Sequence, residues 1–94
     1  MKKINFKKIE FYNSFEDEEN GKVSTIDIAQ YFGNLMKYDG GIIMDIAFED
    51  LAKDIYYKGE VEIEDRFIEP IATLVKGSIL KASIKRSILK QLGL

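Results

Sequence analysis

The sequence predicts an α+β fold: an N-terminal β-hairpin plus a short third strand, packed by three to four helices. Three observations predict it. Residues 3–12 alternate apolar and polar twice, with Ile4 and Phe6 and then Ile9 and Phe11 as the apolar set. Asn20-Gly21, a strong turn dipeptide, precedes a second short run at 22–26. At Gly59 the period changes. Met44, Phe48, Leu51 and Ile55 recur at helical spacing before it, and Val61 and Ile63 alternate with Glu60, Glu62 and Glu64 around it.

Taken in order, the first strand slips phase by one residue at Lys7-Lys8. That suits a β-bulge, since an extra residue returns the apolar set to its face. Residues 13–21 form a polar, acidic hairpin loop, and Lys22 to Ile26 the returning strand. Ser24 or Thr25 can then cap a helix, Ser24 with Asp27 resembling a capping box. The helix runs from about 27 to 37, with Ile28, Tyr31, Phe32 and Leu35 on one side, and Asp39-Gly40-Gly41 ends it. Gly33 inside it costs on the order of 1 kcal/mol against alanine, which points to close approach of a neighbouring element.

The central helix covers 44–58. Its other side carries Asp45, Glu49, Asp50, Lys53 and Asp54. Gly59 supplies the left-handed C′ residue, with Lys58 set against the helix dipole. A short strand follows at 60–63. Glu64 and Asp65 are caps for a third helix carrying Phe67, Ile68, Ile71, Leu74 and Val75. Pro70 lacks the N–H that a helix interior needs, so this helix begins near Glu69 or is kinked. Gly77-Ser78 breaks the chain before a basic C-terminal helix over about 78–92. Leu80, Ile84 and Ile88 form its stripe, and Ile79 and Leu89 lie off it.

The 94 residues make a single domain, 46% hydrophobic and 32% charged, which is the composition of an ordinary globular protein. Cysteine and histidine are both absent, which removes thiolate chemistry, the commonest general base and the commonest transition-metal ligand. No apolar run approaches the roughly 18 residues a membrane helix needs, so no membrane is expected. No continuous apolar segment follows the basic start, which argues against a signal peptide and makes the cytoplasm the default. The net charge of −2 conceals a segregation: +4 over residues 1–9, −11 over 10–69 and +5 over 70–94. Such a chain either folds its ends against its middle or offers oppositely charged faces to partners.

Candidate chemistry is sparse. Residues 16–27 align with a calcium loop, with Glu16, Glu18 and Asn20 at positions 1, 3 and 5, Gly21 at 6 and Asp27 at 12. Glutamate at position 1 and aspartate at position 12 depart from that pattern, and a solvated hairpin loop explains the same residues. Glu60, Glu62 and Glu64 share a strand face, as a half-exposed strand requires anyway. No serine sits in a nucleophile elbow, and Lys76-Gly77-Ser78 inverts the order of a phosphate-binding loop. No enzyme, no cofactor and no metal is therefore expected. The basic C-terminal helix is the more informative feature. Its Lys81, Lys85 and Arg86, with the surplus apolar Ile79 and Leu89 and the aromatic Tyr57, form the candidate interface.

KKINFKKIEF over 2–11, then IAQYFGN over 28–34, then DLAKDIYYKGEVEI over 50–63, resemble small uncharacterised proteins encoded in phage and prophage regions of Bacteroides-type bacteria. The likeness covers roughly residues 2–69, and its most specific pieces are Gly33-Asn34 and Ala52, Ile55, Tyr56, Gly59 and Glu60. It implies a phage-associated assembly or accessory protein, virion-associated where that role holds, and carries over no catalytic residue. The sequence thus points to a non-enzymatic interaction module that binds a protein partner or itself. The alternative is a nucleic-acid-associated regulator with residues 78–92 on the phosphates, although the acidic middle would repel a polyanion. A calcium-responsive module is the third.

Overall fold

A computed structural model describes residues 1–39 and 45–94. The fold is α+β, with strands β1 (Lys2–Asn5), β2 (Ile9–Phe11), β3 (Ser24–Ile26) and β4 (Glu60–Ile63). The helices are α1 (Phe15–Glu19), α2 (Ala29–Asp39), α3 (Ile46–Lys58), α4 (Asp65–Gly77) and α5 (Ala82–Gln91). Gly40 and Gly41, expected to end one helix, and Met44, expected to begin the next stripe, lie outside the described residues.

The N-terminal hairpin is β2 with β3, antiparallel, Ile9 opposite Ile26 and Phe11 opposite Ser24. The phase slip at Lys7-Lys8 is not a bulge within one strand. The chain turns there, so that Ile4 and Ile9 serve two different ribbons. β1 pairs antiparallel with β4, Ile4 opposite Val61, on the far side of the sequence. Phe6 joins the two ribbons: its N–H donates to the Gly59 carbonyl at 2.9 Å, and its own carbonyl accepts from the Ile28 N–H at 2.9 Å. Lys8 N–H closes the turn onto the Asn5 carbonyl, and the Asn5 side chain accepts from Lys7 N–H.

Each longer helix is placed by its apolar stripe. Phe48, Leu51, Ala52 and Ile55 of α3 are buried, as are Phe67, Ile71, Ala72 and Val75 of α4 and Ile84 and Ile88 of α5. On α2 the fully buried side chains include Ala29, Phe32 and Met36, while Tyr31 and Leu35 are only partly covered. Phe6 stacks on Phe32 with ring centroids 5.0 Å apart, and Phe48 meets Phe67 edge-on at 5.4 Å. These rings join the ribbons to the helices in one core.

Two glycines act where a side chain would not fit. At Gly33 a Cβ would stand 2.8 Å from Tyr56 Cβ and 2.9 Å from the Ala52 carbonyl oxygen, so α2 and α3 meet backbone to backbone there. Gly59 has φ 78° and ends α3 as the C-cap, its N–H on the Asp54 and Ile55 carbonyls.

Three local expectations are corrected. Ser24 is a strand residue, and Asp27 instead caps the next helix, accepting from Ala29 N–H at 3.0 Å. Of the two paths open to the third helix at Pro70, the late start near Glu69 is not taken: the helix starts at Asp65 and carries Pro70 inside it. Within 13–21, expected as a solvated loop, Ser14 caps a five-residue helix by accepting from Asp17 N–H at 3.1 Å.

Candidate interaction surface

α5 packs against β2 and β1 through Ile84, Ile88 and the partly buried Leu89. Its charged side is directed away from that contact. Lys81, at the start of the helix, reaches the hairpin loop, its Nζ donating to Asn13 Oδ1 at 3.2 Å. Lys85 Nζ donates to the Lys76 carbonyl at 3.1 Å, satisfying an acceptor in the last turn of α4. Arg86 and Lys90, one turn apart, stand over an open groove between α5 and the hairpin. Among the described residues, no carboxylate lies within ion-pair distance of Lys76, Lys81, Lys85, Arg86 or Lys90.

The groove has a volume of about 1130 Å³. Its helical wall carries the small residues Ala82, Ser83 and Ser87 beside Arg86, Lys90 and Gln91. The opposite wall comes from β2 and the α1 loop: Phe11, Tyr12, Phe15 and Val23, with the acids Glu10 and Glu18 and the base Lys8. Phe15 opens α1 and is 86% exposed. The groove therefore joins apolar area to charges of both signs.

The sequence-derived interface residues do not all converge. Arg86 lines the groove and Lys81 ties α5 to its far wall. Ile79, 90% exposed, sits in the connection before α5, whereas Leu89 is half-buried against the core. Lys85 is engaged with α4. Tyr57 belongs to a second cavity, of about 500 Å³, between α2 and α3, where it meets Tyr56 edge-on at 4.8 Å. Sequence reasoning missed Phe15, Tyr12 and Glu18. Their one signal was an isolated aromatic within a run of acids, at a position where burial was not expected.

The calcium-loop alignment does not survive the geometry. Glu16 and Glu18 lie on α1, where backbone carbonyls of Glu16 and Glu18 accept from Asn20 and Gly21, and Asp27 is occupied as a cap. No cluster of three or more Asp and Glu suited to a metal ion occurs among the described residues. Nor is any polar or charged side chain among them fully buried. No described helix is long and apolar enough to cross a membrane. Comparison with protein families, curated proteins and solved structures gives no match to this chain.

Proposed function

We propose that this chain is a non-enzymatic protein–protein interaction or assembly module whose working surface includes α5. One observation carries the reading: the cations of α5 have no carboxylate partner within the described residues and stand beside an open groove with exposed aromatic area. Four bases elsewhere in the fold have such partners, among them Lys3 with Glu60 and Arg66 with Asp45 and Glu64. Lys2, Lys7, Lys8, Lys22 and Lys53 have none among the described residues; what sets α5 apart is that all of its cations are of the second kind. Charges left without a partner inside a subunit commonly set the orientation of one between subunits. The lack of any buried ionisable group among the described residues supports a binding role, since catalytic acids and bases are usually tuned by burial. The resemblance to phage and prophage proteins would place the module in an assembly or accessory role, cytoplasmic before assembly and virion-associated afterwards.

Light scattering behind size exclusion, repeated across salt and protein concentration, tests this. The expected result is association at low salt that weakens as salt rises. A strict monomer at every concentration, with no protein recovered by pull-down, would sink the reading. A second reading, nucleic-acid binding, is favoured by Arg86 and Lys90 standing near Tyr12 and Phe15, since single strands use cations and aromatic faces together. Glu10 and Glu18 in the same groove oppose it. Lys85→Glu with Arg86→Glu should then abolish a salt-sensitive gel shift, and no shift at low salt would exclude it.

A further inference from the structure

We infer that the groove between α5 and the hairpin is self-complementary and receives a second copy of this chain across a two-fold axis. The inference rests on the interaction-module reading and assigns it a face and an occupant. A two-fold interface sets one patch on itself, so any charge the patch carries must be met by the opposite sign elsewhere on it, and any projection by a recess. This groove meets both conditions. Arg86 and Lys90 stand on one wall and Glu10 and Glu18 on the other, where Lys8 offsets one of the two acids, and no ion pair among the described residues uses any of the five. A polyanion would meet the carboxylates and an acidic peptide would find only half of its surroundings favourable. A second copy, rotated by half a turn, brings each basic wall to the other's acidic wall.

Phe15 is the projection. It opens a helix that buries none of its own residues, so the short α1 contributes little to the core yet holds an aromatic ring in water. Ala82, Ser83 and Ser87 leave the recess, on the groove-lining part of α5 that also carries Arg86 and Lys90. An aromatic anchor seated in a small-residue trough and ringed by charge is the usual arrangement of an interface hot spot. In the dimer each Phe15 enters the other subunit's trough.

The test uses sedimentation velocity on the full chain at micromolar and near-millimolar concentration, with circular dichroism to establish folding. The wild type should form a dimer at low salt and lose it in 1 M salt, where the screening length falls to about 3 Å. Phe15→Ala should raise the dissociation constant by roughly thirtyfold. The deciding arm uses two double variants, Arg86→Glu with Lys90→Glu and Glu10→Lys with Glu18→Lys. Each sets like charge against like in its own dimer and should be monomeric, and an equimolar mixture should restore a dimer containing one of each. If the wild type assembles and both double variants assemble equally well, the face is wrong while the interaction reading stands. If the wild type is monomeric throughout and pull-down recovers nothing, both fail. If instead the wild type stays monomeric and shifts an oligonucleotide, the shift being lost in the arginine–lysine variant, the occupant is a polyanion and the inference is overturned.

Discussion

Where α2 crosses α3, a small residue brings two backbones together. Gly33 sits so close to Tyr56 and the Ala52 carbonyl that even a methyl group would collide. Where α5 passes the hairpin, small residues do the opposite, and Ala82, Ser83 and Ser87 face an open trough. The charges divide similarly in part. Lys37 pairs with Glu49 across α2 and α3, and Lys58 with Asp54 along α3, though Lys53 of α3 pairs with none, and the cations of α5 have no carboxylate partner among the described residues. Exposed pairs of this kind contribute roughly 0–1 kcal/mol, so they do not hold the fold together. On the proposed reading, the contrast separates residues that determine stability from residues free to determine association.

That separation can be broken by substitution, and the largest effect is expected at Phe6. It is fully buried, stacked on Phe32, and its backbone joins both ribbons. Phe6→Ala should cost about 3–5 kcal/mol in urea unfolding, a large part of the 5–15 kcal/mol typical of a domain. Gly33→Ala comes next. A Cβ 2.9 Å from a backbone oxygen forces the helices apart, for a loss of about 1–3 kcal/mol. Gly59→Ala should lose about 1–2 kcal/mol from the positive φ alone, and more from the Lys7 stem, whose Cδ would stand 2.8 Å from the new Cβ. If these variants fold and the division is correct, their dimerisation per folded molecule should match the wild type. A variant that unfolds easily and also loses association when folded would show that the two sides are coupled.

How much of this could be read in the sequence follows the range of the interactions. The stripes of α3, α4 and α5 were legible because a helix repeats its buried face every turn, and Gly59 announced its turn through a change of period. Gly33 was legible as an anomaly, a costly residue in an otherwise good helix. The partner of β1 was not, since its pairing with β4 depends on where α2 and α3 deliver the chain. α1 was missed because five residues that bury nothing carry no periodicity, and only Ser14 with Asp17 three residues on marked its start. Arg86 stood out through charge segregation, but the groove exists only once residues 8–23 and 82–91 are brought side by side.

On the open side, Arg86→Glu with Lys90→Glu should change the unfolding free energy by no more than about 0.5 kcal/mol, since both groups are exposed and outside the subunit's ion pairs. A larger loss in urea titration would mean that these cations support the fold and that the division drawn above is false.

The smallest change in global stability, and the sharpest probe of the comparison, is expected from Ser14→Ala. The Ser14 hydroxyl accepts from Asp17 N–H and so satisfies one of the free donors at the start of α1. Its loss should cost the short helix about 1 kcal/mol. Because α1 buries no residue, that cost can be discharged by local opening while the core stays intact, so the global urea midpoint should remain unchanged. Hydrogen exchange should instead accelerate several-fold at Asn20, Gly21 and Lys22, whose N–H groups bond to carbonyls within α1. If Phe15 acts as the anchor, the same variant should weaken dimerisation by a similar factor, since the ring must then be ordered during binding. Faster exchange with unchanged association would leave α1 a mobile flap and remove its ring from the interface.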